Sequence, residues 1–127
     1  MVRFFKRQLQ SVKRGKDSVT RVTVIRTKAG FISSITAEGH SGYAKSGEDI
    51  VCASVSSLMQ ALWIGLDEIL EVEDLRTERD EEIPRIGLAW DPDIPGTQIV
   101  AGTIARALEA MGESYPDYVD YREITEK

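Results

Sequence analysis

Cysteine and histidine are almost missing from this sequence: Cys52 and His40 are the only ones in 127 residues. A single thiol cannot close an internal disulfide, so nothing points to an oxidising compartment. One cysteine and one histidine also leave a metal site short of ligands, because the remainder would be carboxylates without recognisable spacing. Neither a metal nor another cofactor is expected. No phosphate-binding glycine loop, dinucleotide fingerprint or nucleophile elbow is present. A long unbroken apolar run is lacking too. The most apolar stretch, "IVCASVSSLMQALWIGL" (50–66), is interrupted by Ser54, Ser56, Ser57 and Gln60. It falls short of the roughly 20 apolar residues of a bilayer span. The N-terminus has neither the apolar segment nor the small-residue cleavage site of a secretory signal. These absences favour a cytoplasmic domain with no membrane partner.

Acidic residues are missing from the first 16 positions, "MVRFFKRQLQSVKRGK", which carry six basic side chains. The remaining 111 residues hold ten basic and 21 acidic ones, so the net charge of −5 conceals a basic leader on an acidic body. Such a body is a poor general binder of nucleic acid. The leader, taken as residues 1–20, reads as a disordered or loosely packed extension rather than an RNA-binding arm. One domain over 21–127 follows, of a length and composition usual for a globular fold. The cluster "DEILEVEDLRTERDEE" (67–82), nine acids against two arginines, reads as a solvated helix end and loop.

The periodicity that is present is clear. "RVTVIRT" (21–27) alternates Val22 and Val24 with polar neighbours, predicting a half-buried strand. "KAG" (28–30) marks a turn and "FISSITAEG" (31–39) a second strand, hence a hairpin. Residues 40–48, with Gly42 and Gly47, read as a loop. From Asp49 to about Leu70, apolar Val51, Val55, Leu58, Leu62, Leu66 and Ile69 recur every three or four residues, predicting a long amphipathic helix. "RIGLAW" (85–90) alternates as a strand, and "DPDIPG" (91–96) is a turn. Val100, Ile104, Leu108 and Met111 predict a second helix stopping near Gly112, and "YVDYREI" (118–124) a last strand. Phe31, Trp63, Trp90 and the helix leucines read as core. The order ββα(β)βαβ argues for an α+β fold, a two-layer sandwich whose mixed or antiparallel sheet carries two helices on one face.

The two scarce residues share one glycine-studded segment, "GHSGYAKSGEDIVCASVSSL" (39–58). His40 ends the second strand, and Cys52 falls in the first turn of the first helix. Eleven residues lie between them, enough to bring them back together. Thiolate is the nucleophile, and an ordinary thiol of pKa ~8.5 is mostly protonated near neutral pH. The unpaired amides of a helix start favour the anion, an adjacent imidazole can take the proton, and the same amides can hold an oxyanion. Asp49 and Ser56, three residues before and four after Cys52, share its helix face. Asp49 either orients His40 or caps the helix, and Ser56 bonds towards the sulfur or back to its own helix. A plainer reading makes Cys52 a small buried hydrophobe and His40 a structural imidazole. Spacing alone leaves both open.

The segment 39–58 closely resembles the signature of the bacterial ribosomal-processing cysteine protease family (Prp): Gly-His, a small-residue glycine loop, Gly-x-Asp-Ile-Val-Cys-Ala, then Val-Ser. A looser resemblance runs from the strand at 21–27 through "YPDYV" (115–119). Ser41 departs from the alanine usual in the family, and the basic leader precedes the usual family start. The resemblance implies a cysteine endopeptidase that removes a short N-terminal extension from a large-subunit ribosomal protein, the one whose tail reaches the peptidyl-transferase centre. It implies that His40 and Cys52 form the catalytic dyad and that Asp49 and Ser56 support activity. It also implies that Gly39 is the hinge of a mobile loop, and that the protein is a homodimer. Two further classes stay in view. One is a non-enzymatic ribosome-associated assembly protein, and the other a cysteine hydrolase with another peptide or thioester substrate.

Overall fold

The computed structural model describes residues 19–39, 46–80 and 85–127, the side chains of 46–49 excepted. Strands β1 (Thr20–Arg26) and β2 (Ile32–Glu38) form the expected hairpin. Helix α1 (Ser46–Trp63) runs directly into a π-helical segment (Ile64–Ile69). Strands β3 (Arg76–Asp80) and β4 (Arg85–Ala89), helix α2 (Thr97–Ser114) and β5 (Val119–Thr125) complete the chain. One mixed sheet results, in the order β3-β4-β2-β1-β5. Among the described residues only the β1–β5 pair is parallel, and the chain between these strands supplies the other described elements.

The sheet's two faces follow from the period of two along each strand. Register places Val24 opposite Ile35, and Ile35 opposite Leu88, so these three form one buried row. Val22 and Ala37 form the next row, and Val119 continues the core on β5. Val51, Val55, Met59, Leu62 and Leu66 from α1 and its extension close over this face together with Ala101, Ile104, Ala105 and Leu108 from α2. Full burial of each such aliphatic side chain contributes about 1.5–3 kcal/mol. The opposite face carries Arg21, Thr23, Thr36, Glu38 and Arg85, all half-buried. Arg85 bridges Glu38 at 3.4 Å and Glu78 at 3.1 Å on that face. Where a bulge breaks the hairpin register near Arg26, Gln98 of α2 clamps both backbone groups of Ile32. The Ile32 N–H donates to Gln98 Oε1 at 2.7 Å, and Gln98 Nε2 donates to the Ile32 carbonyl at 2.8 Å.

Several expectations are corrected. β3 lies in the acidic cluster read as loop, and all five of its residues are exposed. No apolar alternation betrays it; backbone pairing with β4 and the Glu78–Arg85 ion pair hold it. Its charge also suits an edge strand, which must resist pairing with other chains. Helix α1 starts at Ser46 rather than Asp49, and beyond Trp63 it widens. Leu70 N–H donates to the Gly65 carbonyl and Val72 N–H to that of Leu66, both at 2.9 Å. The wider turn shifts the helical phase, so Ile69 points outward, 73% exposed, despite fitting the apolar spacing. Phe31 and Trp63 are not core either, at 45% and 37% exposed, whereas Trp90 is fully buried. Finally, Ile50–Ile69 is long and apolar enough to cross a membrane by length and composition, with mean hydropathy 1.5. Its inner side is the core stripe just described.

Candidate active site

Cys52 is the seventh residue of α1 and therefore lies in the second helical turn, not the first. The unpaired amides of the helix start lie one turn before it. The Cα–Cβ bonds of a helix tilt towards its N-terminus, however, so the side chain leans back over that first turn. The thiol is half-buried. Its sulfur lies 3.9 Å from the hydroxyl oxygen of Thr20. Thr20 is buried at the start of β1, where its amide donates to the Tyr118 carbonyl at 2.9 Å. The sulfur thus sits where the first strand, the first helix and the approach to the last strand converge.

A cavity of about 400 Å³ opens beside the sulfur. Helix α1 lines it with Cys52, Val55 and Ser56, the strand ends with Thr20 and Gly39, and β3 with Arg79. Gly39 has φ 93°, a conformation that L side chains rarely adopt. A Cβ at this position would also press on the Val19 carbonyl oxygen, so only glycine fits here. Cys52, Ser56 and Gly39 therefore border one cavity, Ser56 exposed one turn beyond the cysteine. His40 and residues 41–45, part of the segment read as a loop from the sequence, lie outside the described residues. So does the side chain of Asp49, although its backbone belongs to α1.

Several residues at this cavity escape sequence reasoning. Thr20 falls in the segment read as leader, and its approach to Cys52 is set by strand placement alone. Arg79 and Asp80 belong to the acidic cluster read as solvated loop, yet both border the cavity. Arg85 borders it as well, its guanidinium held by Glu38 and Glu78. Its Nε is buried without a hydrogen-bond partner among the described residues. The alternation of "RIGLAW" marks that strand but not which end meets the cysteine. The clearest pKa shifts lie away from this cavity, on β5. There Glu123 accepts from Arg26 Nε at 2.8 Å and from the Tyr121 hydroxyl at 2.6 Å. The Arg26 bond, then the Tyr121 bond, hold the Glu123 carboxyl below its ordinary range. Burial, then the bond to Glu123, push the Tyr121 hydroxyl up.

An accessible thiol beside a cavity of this size, with a hydroxyl behind the sulfur, suits attack on a carbonyl of an extended chain. Comparison with known proteins bears on the family and the fold. The family described as Cysteine protease Prp matches residues 19–120. The ribosomal processing cysteine protease Prp of Mycoplasma pneumoniae is 28% identical over 91 residues, covering 70% of this chain and 85% of the relative. Its counterpart in Mycoplasma genitalium is 29% identical over 87 residues, covering 67% and 82%. Among solved structures, a Streptococcus mutans protein aligns with a TM-score of 0.77 and 25% identity over 89% of this chain and all of the other. An essential ribosomal processing protease Prp from Staphylococcus aureus, crystallised with a substrate peptide, aligns with a TM-score of 0.73. That alignment has 18% identity and covers 84% of this chain and all of the other.

Proposed function

The chain belongs to the Prp family of cysteine proteases, and from that premise we propose that it cleaves a peptide bond by a Cys52–His40 dyad. The observation that carries this reading is the half-buried thiol of Cys52, beside a cavity bounded by Gly39 and Ser56. In this mechanism Cys52 Sγ attacks the scissile carbonyl carbon, and His40 takes the thiol proton. The tetrahedral oxyanion is held by the unpaired amides of the first turn of α1, over which the cysteine leans. His40 then gives the proton to the leaving amine, and water hydrolyses the acyl-enzyme with His40 as base. Asp49 orients His40, Ser56 supports the sulfur side of the cavity, and Gly39 is the hinge of the adjoining loop.

The substrate we assign is a bacterial large-subunit ribosomal protein carrying an N-terminal extension, which this enzyme removes in the cytoplasm as a homodimer. The names of the Mycoplasma relatives, both ribosomal processing proteases, support that assignment. The test is incubation of purified protein with the extended ribosomal precursor from the same genome, read by intact mass. The wild-type protein should shorten the precursor at one site, and Cys52→Ala and His40→Ala should leave it whole. Full activity in Cys52→Ala overturns the mechanism. An untouched precursor with the wild-type protein overturns the substrate.

A further inference from the structure

A second cavity, of about 480 Å³, lies further along α1. It shares Met59, Arg79 and Ile86 with the cavity at Cys52, so the two are compartments of one groove. Cys52, Ser56, Met59 and Trp63 follow one another along a single flank of the helix, at spacings of three and four. The opposite wall is the sheet's overhang. β3 is exposed throughout, and Thr77 and Arg79 pair with Leu88 and Ile86, which turns their side chains to the helix side. Ile64 lies twelve positions beyond Cys52 along the helix, about 18 Å at 1.5 Å per residue. An extended chain covers that distance with about five residues.

The far compartment has a distinct chemistry. Met59, Trp63, Ile64, Ile86 and Leu88 give it an apolar lining, while Glu68 stands at its border; Glu78 also borders it, but its carboxylate turns to Arg85 on the other face of the sheet. Trp63 and Ile64 are large apolar residues left 37% and 42% exposed here. The π-helical segment begins at Ile64, and such local widening is frequent at functional sites. Continuity with the cysteine cavity makes the peptide that reaches Cys52 the occupant of this compartment as well. We propose that it is a specificity subsite that takes a large apolar side chain of the substrate, four or five residues from the scissile bond on one side. This inference rests on the reading of Cys52 as the nucleophile.

The test uses peptides spanning the cleavage junction of the ribosomal precursor by six residues on each side, with each position replaced in turn by asparagine. Away from the residues next to the scissile bond, one apolar position four or five places off should stand out. Asparagine there should lower kcat/KM at least about tenfold, because an apolar pocket discriminates poorly matched groups by that order. In Trp63→Ser/Ile64→Ser the ratio between parent and asparagine peptide should fall towards one. The ratio is internal to each preparation, so a reduced active fraction does not imitate the effect. If the double variant does not fold, Ile64→Glu alone is read in the same way. A flat profile beyond the third position overturns the subsite while leaving the protease intact, as does a ratio unmoved in the variants. A wild-type protein that cuts none of the peptides overturns the substrate assignment and the subsite with it.

Discussion

The hydroxyl oxygen of Thr20 lies 3.9 Å from the sulfur of Cys52, across thirty-two residues of sequence. The threonine is buried, and its own amide is fixed to Tyr118. The hydroxyl therefore faces the sulfur with little freedom to turn away, and either atom can act as donor. Thr20→Val keeps the shape and removes this partner. One such hydrogen bond is worth about 1 kcal/mol, so kcat/KM should fall roughly fivefold while the circular dichroism spectrum stays unchanged. Thr20→Ser should restore most of the rate. A valine variant as fast as the wild type rules out a role for this hydroxyl.

Gly39 and Gly30 both have positive φ, 93° and 95°. Nothing lies within 4 Å of a Cβ at Gly30, whereas at Gly39 it meets the Val19 carbonyl oxygen. Gly30→Ala should therefore cost only the left-handed strain, about 1–2 kcal/mol. Gly39→Ala should cost clearly more and also depress cleavage, since this residue borders the cysteine cavity. Urea denaturation of the two variants gives the comparison. Equal losses would mean that the close approach of Val19 is not kept in solution.

Gln98 satisfies both backbone groups of Ile32, a buried residue at the end of the hairpin turn. Gln98→Ala leaves one donor and one acceptor without these partners, a loss of about 1–3 kcal/mol. Hydrogen exchange at the Ile32 amide should accelerate along with the drop in stability. Unchanged protection at that amide counts against the clamp.

Stability should depend on pH through Glu123. Its folded-state pKa is depressed below the ordinary 4.5 by the Arg26 and Tyr121 bonds. A depressed carboxylate stabilises the fold above its unfolded pKa, and the contribution is lost as pH falls through the lower folded value. The carboxylate is about a third exposed, 34%, so screening limits the ion pair to about 0.5–1 kcal/mol. Glu123→Gln should lower the Tm by a few degrees at pH 7. The gap to the wild type should close on acidification through the lowered Glu123 pKa. Tyr121 works in the opposite sense: its raised pKa stabilises the fold below the ordinary value of 10.0, and that part fades in strong alkali. A melting difference that persists unchanged into acid argues against an ionised Glu123 as its source.

Local patterning carried much of the fold. The β-branched alternation of β1 and β2 placed each strand within a residue of its observed ends, and the four-residue steps of α2 placed that helix within about three. What failed did so where context outweighs pattern. β3 is a strand because β4 offers it a free edge, and five exposed residues leave no apolar signature of that. Ile69 obeys the helical spacing, but the π-helical turn before it changes the phase. Trp63 has the residue type of a core position yet borders a groove, because the sheet overhangs the helix layer at that point. For the site, the signature in 39–58 singled out Cys52, Ser56 and Gly39, which border one cavity. Thr20, Arg79 and Arg85 reach the same place only through strand order and register, which no short window of sequence contains.

The parallel pairing of β1 with β5, from Thr20 opposite Val119 to Arg26 opposite Thr125, sets the order in which the cavity beside Cys52 is assembled. Synthesis delivers the N-terminal strand first, long before its outer neighbour exists. Thr20 is anchored by Tyr118, and Cys52 rests beside Thr20, so this corner of the cavity is completed only when the approach to β5 is in place. A chain that has not yet made β5 therefore lacks the anchor that seats Thr20 beside the Cys52 sulfur. Until β5 exists, the outer edge of the first strand stays open.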